Sequence, residues 1–230
     1  MNKFGVVILA RYSSSRLPGK ALLDINGIPV LQYILERVTE VVPIENVIIA
    51  TSDERSDDAI ENFAFNYGVD CYRGSLNNVS RRFFEAGKTK NLDYAIRING
   101  DNIFLDIPLL QRITDIATNF NFDFISNVHK RTFPKGMSVE AVKLQFYEKH
   151  LREIEADDRY VEHVTLYLYE RLSDNNFYFI YNHELPEAGG VQFALDTQKD
   201  LIRTEKIISK FSKRHTYYNL KEIFKISQSI

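Results

Sequence analysis

Residues 4–20 read FGVVILARYSSSRLPGK. The first seven form a nearly continuous apolar run, which predicts a strand that is buried on both faces. A polar loop follows directly, in which Arg11, Arg16 and Lys20 surround three serines. Ligands of an open α/β sheet bind beyond the carboxyl ends of its strands. The segment therefore predicts a parallel sheet with an anion-binding loop at the end of its first strand.

Apolar strands and amphipathic helices alternate as far as about residue 130. The spacing predicts helices over 30–42, 57–67, 79–89 and 108–119, and strands over 46–51, 69–72, 94–98 and 123–126. This alternation predicts an α/β fold with a mainly parallel central sheet and helices on both faces.

The pattern weakens after residue 130. Residues 138–142, 177–181 and 191–195 favour strands, whereas 143–155, 160–171 and 199–211 favour helices. We interpret this half as a small inserted β/α extension of the same sheet, within a single domain.

Composition excludes several classes of protein. The 230 residues are 44% hydrophobic and 26% charged, as in soluble globular proteins. A net charge of −2 gives no reason to expect binding to nucleic acid or to a membrane surface. The single cysteine, Cys71, excludes an internal disulfide framework. We expect a cytoplasmic protein with no nucleic-acid or membrane partner.

The loop over residues 11–20, which we call the phosphate loop, has the side chains that a polyphosphate requires. Its two arginines and one lysine can neutralise phosphate oxygens, and its serines offer hydroxyl and backbone N–H donors. The loop matches neither a Walker A motif nor a dinucleotide-binding motif. A solvated basic loop is the alternative, and the position directly after a buried strand argues against it.

Two aspartates follow predicted strands in the same way. Asn99, Gly100 and Asp101 come after the strand over 94–98, and Asp196 comes after the strand over 191–195. Two such carboxylates can hold Mg²⁺ when substrate phosphates complete its ligands. Capping of the helix that follows is a serious alternative role for Asp196. Together with the phosphate loop, the pair predicts a nucleotide and metal site.

These segments resemble a known family. The string LARYSSSRLPGKALLDINGIPVLQY (9–33) and the later strings VIIATSDERSDDAI, RINGDNIFLD and LDTQKDL occur in that family's order. The chain resembles the sugar-activating cytidylyltransferases, which include the acylneuraminate and 3-deoxy-manno-octulosonate enzymes. It is most similar to the SpsF-like branch of spore coat polysaccharide biosynthesis.

The resemblance implies a GT-A-like nucleotidyltransferase fold in one domain (1–230), with a nucleotide-binding half (1–130) and an acceptor-binding, sheet-completing half (131–230). It implies transfer of CMP from CTP to a sugar or sugar-phosphate acceptor, with Mg²⁺ as cofactor and release of pyrophosphate, in the biosynthesis of surface polysaccharides. A homodimer is also expected.

The resemblance also implies roles for individual residues. Those expected to catalyse the reaction are Arg11, Arg16, Lys20 and Asp101. The metal ligands are Asp101 and Asp196. The nucleotide-binding residues are Leu9, Ala10, Arg11, Ser14, Arg16, Lys20, Thr51, Ser52, Arg73, Gly74, Ser75, Arg82, Asn99 and Gly100. The acceptor-binding residues are Arg131, Glu140, Glu162 and His163.

Several alternatives stay open. A guanylyl-, uridylyl- or adenylyltransferase could use the same scaffold. A GT-A glycosyltransferase is disfavoured, because Asn102 and Ile103 follow Asp101 where its D-x-D motif would stand. A non-catalytic nucleotide-binding protein is the third alternative. The loss of Lys20 or of an aspartate assigned to the metal would favour it, but the sequence keeps all three residues. His163 fits a packed histidine as well as a base or an acceptor contact. Departures from the family pattern fall mostly on the acceptor side, so the acceptor stays unidentified.

Overall fold

Strands form a large sheet in the computed structural model, which describes residues 2–171 and 176–230. In chain order the strands are β1 (Phe4–Leu9), β2 (Asp24–Ile25), β3 (Ile28–Pro29), β4 (Val47–Ser52), β5 (Asp70–Gly74), β6 (Tyr94–Asn99), β7 (Phe124–Ser126), β8 (Glu140–Lys143) and β9 (Phe177–Phe179). β2 and β3 form a separate hairpin. The other seven share one sheet in the order β5-β4-β1-β6-β8-β7-β9.

The direction of the strands confirms the predicted mainly parallel sheet. β5, β4, β1 and β6 are parallel neighbours, and β7 and β9 are parallel to each other. β8 lies between β6 and β7 and is antiparallel to both. Strands from before and after residue 130 therefore belong to the same sheet.

Helices cover both faces of this sheet. They are α1 (Val30–Thr39), α2 (Asp58–Tyr67), α3 (Val79–Thr89), α4 (Ile107–Asn119), α5 (Leu144–Ile154), α6 (Asp158–Glu162), α7 (Leu166–Tyr169), α8 (Gln198–Ile208) and α9 (Leu220–Ser227). Ile8 enters the core that contains residues of α1 and α4, and Val7 enters the core that contains residues of α3 and α5. Consecutive side chains of β1 thus enter opposite cores, as a strand buried on both faces requires. Within the described ranges the longest helix, α4, has 13 residues, and none has the length and apolarity to span a bilayer.

Two predictions for the second half are corrected. The helix predicted over 160–171 is interrupted, because residues 163–165 separate α6 from α7. The strand predicted over 191–195 is an extended segment with a single bridge, between Lys135 and Gln192. The apolar run of residues 191–195 correctly indicated extended backbone. The segment forms no strand of the sheet because it lies beside the loop that contains Lys135, and not beside another strand. The β2–β3 hairpin was not predicted.

The loop between β7 and β8 is closed at its base by one side chain. The amide nitrogen of Asn127 donates to the Met137 carbonyl over 2.9 Å, and the amide oxygen accepts from the Val139 N–H over 2.8 Å. Asn127 is buried. The side chain therefore holds the two ends of residues 127–139 together.

The extended segment 191–195 depends on a glycine in that loop. The Phe193 N–H donates to the Lys135 carbonyl over 2.9 Å, which brings the segment against Gly136. Gly136 has a φ of +89°, and a Cβ there would lie 2.4 Å from the Ala194 nitrogen. A side chain at this position would therefore meet fixed backbone in a strained conformation.

We expect Gly136→Ala to lower the free energy of unfolding by more than about 2 kcal/mol, since left-handed strain and backbone overlap add together. The matched control is Gly68→Ala at the end of α2. Gly68 has a φ of +80° but no atom within 4 Å of a built Cβ. That control should cost about 1 kcal/mol, the low end of the range for left-handed strain alone. Urea unfolding of both variants measures the difference, and equal losses would contradict the proposed overlap.

Candidate functional site

A cavity of about 310 Å³ opens where β1 and β6 end. The phosphate loop, the end of β6, α3 and the residues that follow α6 form its walls. Of the residues named from the sequence, those that line it are Leu9, Ala10, Arg11, Ser14, Arg16, Lys20, Arg82, Asn99, Gly100, Asp101, Glu162, His163 and Asp196.

Lys20 lies between two carboxylates in this cavity. Its Nζ donates to Asp101 Oδ2 over 2.7 Å and to Asp196 Oδ1 over 2.8 Å. Burial disfavours the charged ammonium, but the charges of both aspartates and their hydrogen bonds outweigh it, so the pKa of Lys20 is raised. The two aspartates therefore hold a cation between them.

The two arginines of the phosphate loop are also paired with carboxylates. Arg16 lies 3.2 Å from Asp196, and Arg11 lies 3.0 Å from Glu162. The Arg16 side chain is 64% exposed and both members of the Arg11–Glu162 pair are 42% exposed. Ion pairs this exposed contribute little to stability. A bound anion can therefore replace the carboxylates as the partner of both arginines with little loss of free energy.

Backbone hydrogen bonds bring the two aspartates together. The Gly100 N–H donates to the Leu9 carbonyl over 2.8 Å, which places the turn after β6 beside the end of β1. The Leu195 N–H donates to the Asp101 carbonyl over 3.1 Å, and Asp196 follows directly. Thr197 caps α8 with its side chain, so Asp196 is not the capping residue.

The aspartate pair fits a divalent cation that the substrate helps to bind. In the described ranges no three His, Cys, Asp or Glu side chains form a group that could hold a metal. Mg²⁺ commonly binds through one or two carboxylates, with substrate phosphates and water as its other ligands. Asp101 and Asp196 converge on one nitrogen and supply that donor set.

Several residues named for nucleotide binding lie elsewhere. Thr51 and Ser52 are fully buried, and their hydroxyls donate to Asp57 over 2.9 and 2.5 Å. Arg73 forms ion pairs with Asp58 and Glu61. None of these residues lines the cavity, and neither do Gly74 and Ser75. Their roles in binding stay predictions.

The residues named for acceptor binding divide in the same way. Glu162 and His163 line the cavity, at the end of α6. Glu140 is 1% exposed and lies behind the wall, where it pairs with Arg97 and accepts a hydrogen bond from Tyr169 over 2.6 Å. Arg131 is exposed and lies outside the lining.

Arg97 lines the cavity and was missed from the sequence. Its Nε is buried and has no hydrogen-bond partner among the described residues, and the same is true of Arg82 Nε. Burial lowers the pKa of Arg82. The inner wall therefore carries two guanidinium groups, whose positive charge suits an anionic ligand. The sequence pattern of β6 could have identified it. Side chains two residues apart in a strand point to the same face, so Arg97 shares a face with Asn99.

Comparisons with known proteins identify the family of the chain. The family model described as cytidylyltransferase matches residues 6–228. The spore coat polysaccharide biosynthesis protein SpsF of Bacillus subtilis is 30% identical over 219 residues, which cover 93% of this chain and 90% of that protein. The 3-deoxy-manno-octulosonate cytidylyltransferase of Escherichia coli is 39% identical over 101 residues, 44% of this chain and 40% of that enzyme.

A solved cytidylyltransferase of Leptospira borgpetersenii superposes with a TM-score of 0.90 at 29% identity, and the match covers all of this chain and 95% of that one. The family match spans both halves of the chain and includes the phosphate loop, Asp101 and Asp196. The fold is therefore the predicted nucleotidyltransferase fold, and the chain belongs to the cytidylyltransferase family.

Proposed function

We propose that this protein transfers CMP from CTP to a sugar or sugar-phosphate acceptor, with Mg²⁺ as cofactor and with release of pyrophosphate. The observation that carries the proposal is the contact of Lys20 with both Asp101 and Asp196 inside one cavity at the strand ends. Family membership supports CTP as the nucleotide.

The charges of the cavity support a triphosphate ligand. Each cation of the phosphate loop has a carboxylate partner: Arg11 has Glu162, Arg16 has Asp196, and Lys20 has both aspartates. A triphosphate would attract these three cations, because its charge is higher than that of any single carboxylate. Asp101 and Asp196 would then be available as metal ligands, so nucleotide and metal should bind together.

This arrangement supports a single displacement at the α-phosphorus of the nucleotide. An acceptor oxygen attacks the α-phosphorus and forms a new P–O bond, while the bond from that phosphorus to the β-phosphate oxygen breaks and pyrophosphate leaves. Arg11, Arg16 and Lys20 offset the negative charge that develops on the phosphate oxygens. Mg²⁺, held by Asp101 and Asp196, would add positive charge beside the same oxygens.

The acceptor decides whether a base is needed. A sugar phosphate is already ionised, whereas a sugar hydroxyl must lose its proton. His163 is the histidine in the described lining of the cavity, and its imidazole could accept that proton. The names of the SpsF and 3-deoxy-manno-octulosonate relatives support a sugar acceptor and a role in polysaccharide biosynthesis. A homodimer in the cytoplasm stays a prediction.

The first test measures pyrophosphate release with Mg²⁺ from each of the four ribonucleoside triphosphates. The acceptors are acidic nonulosonic and octulosonic sugars, hexose phosphates and alditol phosphates. We expect release with CTP and one class of acceptor, and loss of that release in Asp101→Ala. Release with another nucleotide would replace CTP. Nucleotide binding without release, across a widened acceptor panel, would favour a non-catalytic protein.

Lys20→Met should change metal and nucleotide affinity in opposite directions. Removing the ammonium leaves two carboxylates without their cation, so Mn²⁺ should bind about tenfold more tightly without nucleotide, while CTP binds more weakly. Titration of free Mn²⁺ by electron paramagnetic resonance measures the first effect.

The matched control for that experiment is Lys149→Met, because Lys149 is exposed on α5. It should bind Mn²⁺ as the unmodified protein does. Equal Mn²⁺ affinity in the Lys20 and Lys149 variants would contradict the proposal that Lys20 competes with the metal for the two carboxylates.

Arg16→Ala should weaken CTP binding by about 1.5 kcal/mol, or roughly tenfold. This is the low end of the range for hydrogen bonds to charged groups, because the Arg16 side chain is 64% exposed. Isothermal titration with CTP tests it, and Arg152→Ala on α5 is the exposed arginine control. An unchanged affinity in the Arg16 variant would remove that residue from the binding site.

A further inference from the structure

A buried aspartate, Asp57, connects the phosphate loop to the end of β4. Its Oδ1 accepts a hydrogen bond from the Tyr12 N–H over 2.6 Å. Its Oδ2 accepts from the Thr51 hydroxyl and the Ser52 N–H, each over 2.9 Å, and from the Ser52 hydroxyl over 2.5 Å. Asp57 is fully buried. One side chain therefore joins the phosphate loop to the end of a strand that lies about 40 residues later in the sequence.

The donors around Asp57 suit an ionised carboxylate. Although Asp57 precedes α2, its side chain does not cap that helix, and it points back toward the sheet. Burial would raise its pKa, but the hydrogen bonds from Ser52, Tyr12 and Thr51 outweigh burial and hold the pKa below its usual value. In the described part of the chain no cation forms a salt bridge with Asp57. The negative charge is thus stabilised by the groups that it holds in place.

Tyr12 is the residue through which the phosphate loop closes. Its carbonyl accepts from the Ser14 N–H and from the Gly19 N–H, both over 2.9 Å. Between Arg11 and Arg16, the other polar contacts with the rest of the described chain are the two exposed ion pairs of the arginines. Because a triphosphate would displace those pairs, the bond to Asp57 is the polar contact that still joins residues 11–16 to the rest of the described chain outside the phosphate loop when the ligand is bound.

We propose that Asp57 is a positioning residue for the triphosphate, which it serves by fixing the backbone of the phosphate loop between Arg11 and Arg16. This inference rests on the proposed function. A loop that is already in place loses less conformational freedom on binding, so its cations bind more tightly. We assign the β- and γ-phosphates to the cations of the phosphate loop, so the effect should concern those two phosphates and not the α-phosphate.

Asp57→Asn tests this role with little change in shape. The amide oxygen can face the three donors of Thr51 and Ser52, and the amide NH₂ then faces the Tyr12 N–H. Two donors cannot form a hydrogen bond, so the contact to the loop is lost while the contact to β4 is kept. We expect the Kd for CTP to rise about tenfold and the Kd for CMP to stay within about twofold. Isothermal titration of the full chain measures both.

Asp106→Asn is the matched control. Asp106 is also buried and also accepts from two backbone N–H groups, those of Leu109 and Leu220, but it does not line the cavity. It should lower stability and leave both nucleotide affinities unchanged. If the unmodified protein binds no triphosphate, the proposed function fails and this inference with it. If it binds CTP and Asp57→Asn binds CTP equally well, the role of Asp57 alone is overturned.

A second measurement does not depend on the variant's folding. In the unmodified protein without nucleotide, the Tyr12 amide should exchange its hydrogen as slowly as the Ser52 amide, because both donate to the same buried carboxylate. Protection of Tyr12 supports the contact. Exchange of Tyr12 at the rate of an exposed loop, with Ser52 protected, would overturn it.

Discussion

The ion pairs of Lys20 with Asp101 and Asp196 are the constraint on which the rest of the site depends. Two carboxylates at the same edge of a sheet repel each other, and partial burial makes that repulsion stronger. Lys20 supplies the opposing charge from the phosphate loop. The three residues come from three separate parts of the chain, so the end of β1, the end of β6 and the segment before α8 must all be in place. The mainly parallel sheet meets this requirement, since β1 and β6 end side by side.

The first half of the fold could be predicted because its signals are local. A buried parallel strand is a continuous apolar run, and a helix packed on the sheet has apolar residues at regular spacing. The second half was harder. The segment 191–195 has the sequence of a strand, but its backbone partners are Lys135 and Asp101, and no local pattern identifies such partners. The break between α6 and α7 likewise carries no proline or glycine to announce it.

The candidate site divides along the same line. The phosphate loop and Asp101 were predicted, because strand ends that are neighbours in the sheet converge in space. Asp196 was predicted from the same rule, but its place depends on the hydrogen bond from Leu195 to Asp101, since residues 191–195 form no strand of the sheet. Thr51 and Ser52 also lie at the end of a strand, β4, yet their hydroxyls face Asp57 and not the cavity. The sequence shows that a hydroxyl is near the edge, but not which way it points. Arg97 was missed although it shares a face of β6 with Asn99, because a charged residue inside a predicted strand was not considered as a possible cavity residue.

The loop between β7 and β8 has a consequence for how this protein could change over time. β8 runs against its neighbours, so residues 127–139 leave the sheet and return to it at the edge that carries Asp101. Asn127 closes the base of this excursion. Insertions and substitutions inside it would leave the register of the strands intact. None of these residues lines the described cavity. Mutation could therefore reshape the surface beside the cavity while the phosphate loop and the strands that carry it stay unchanged.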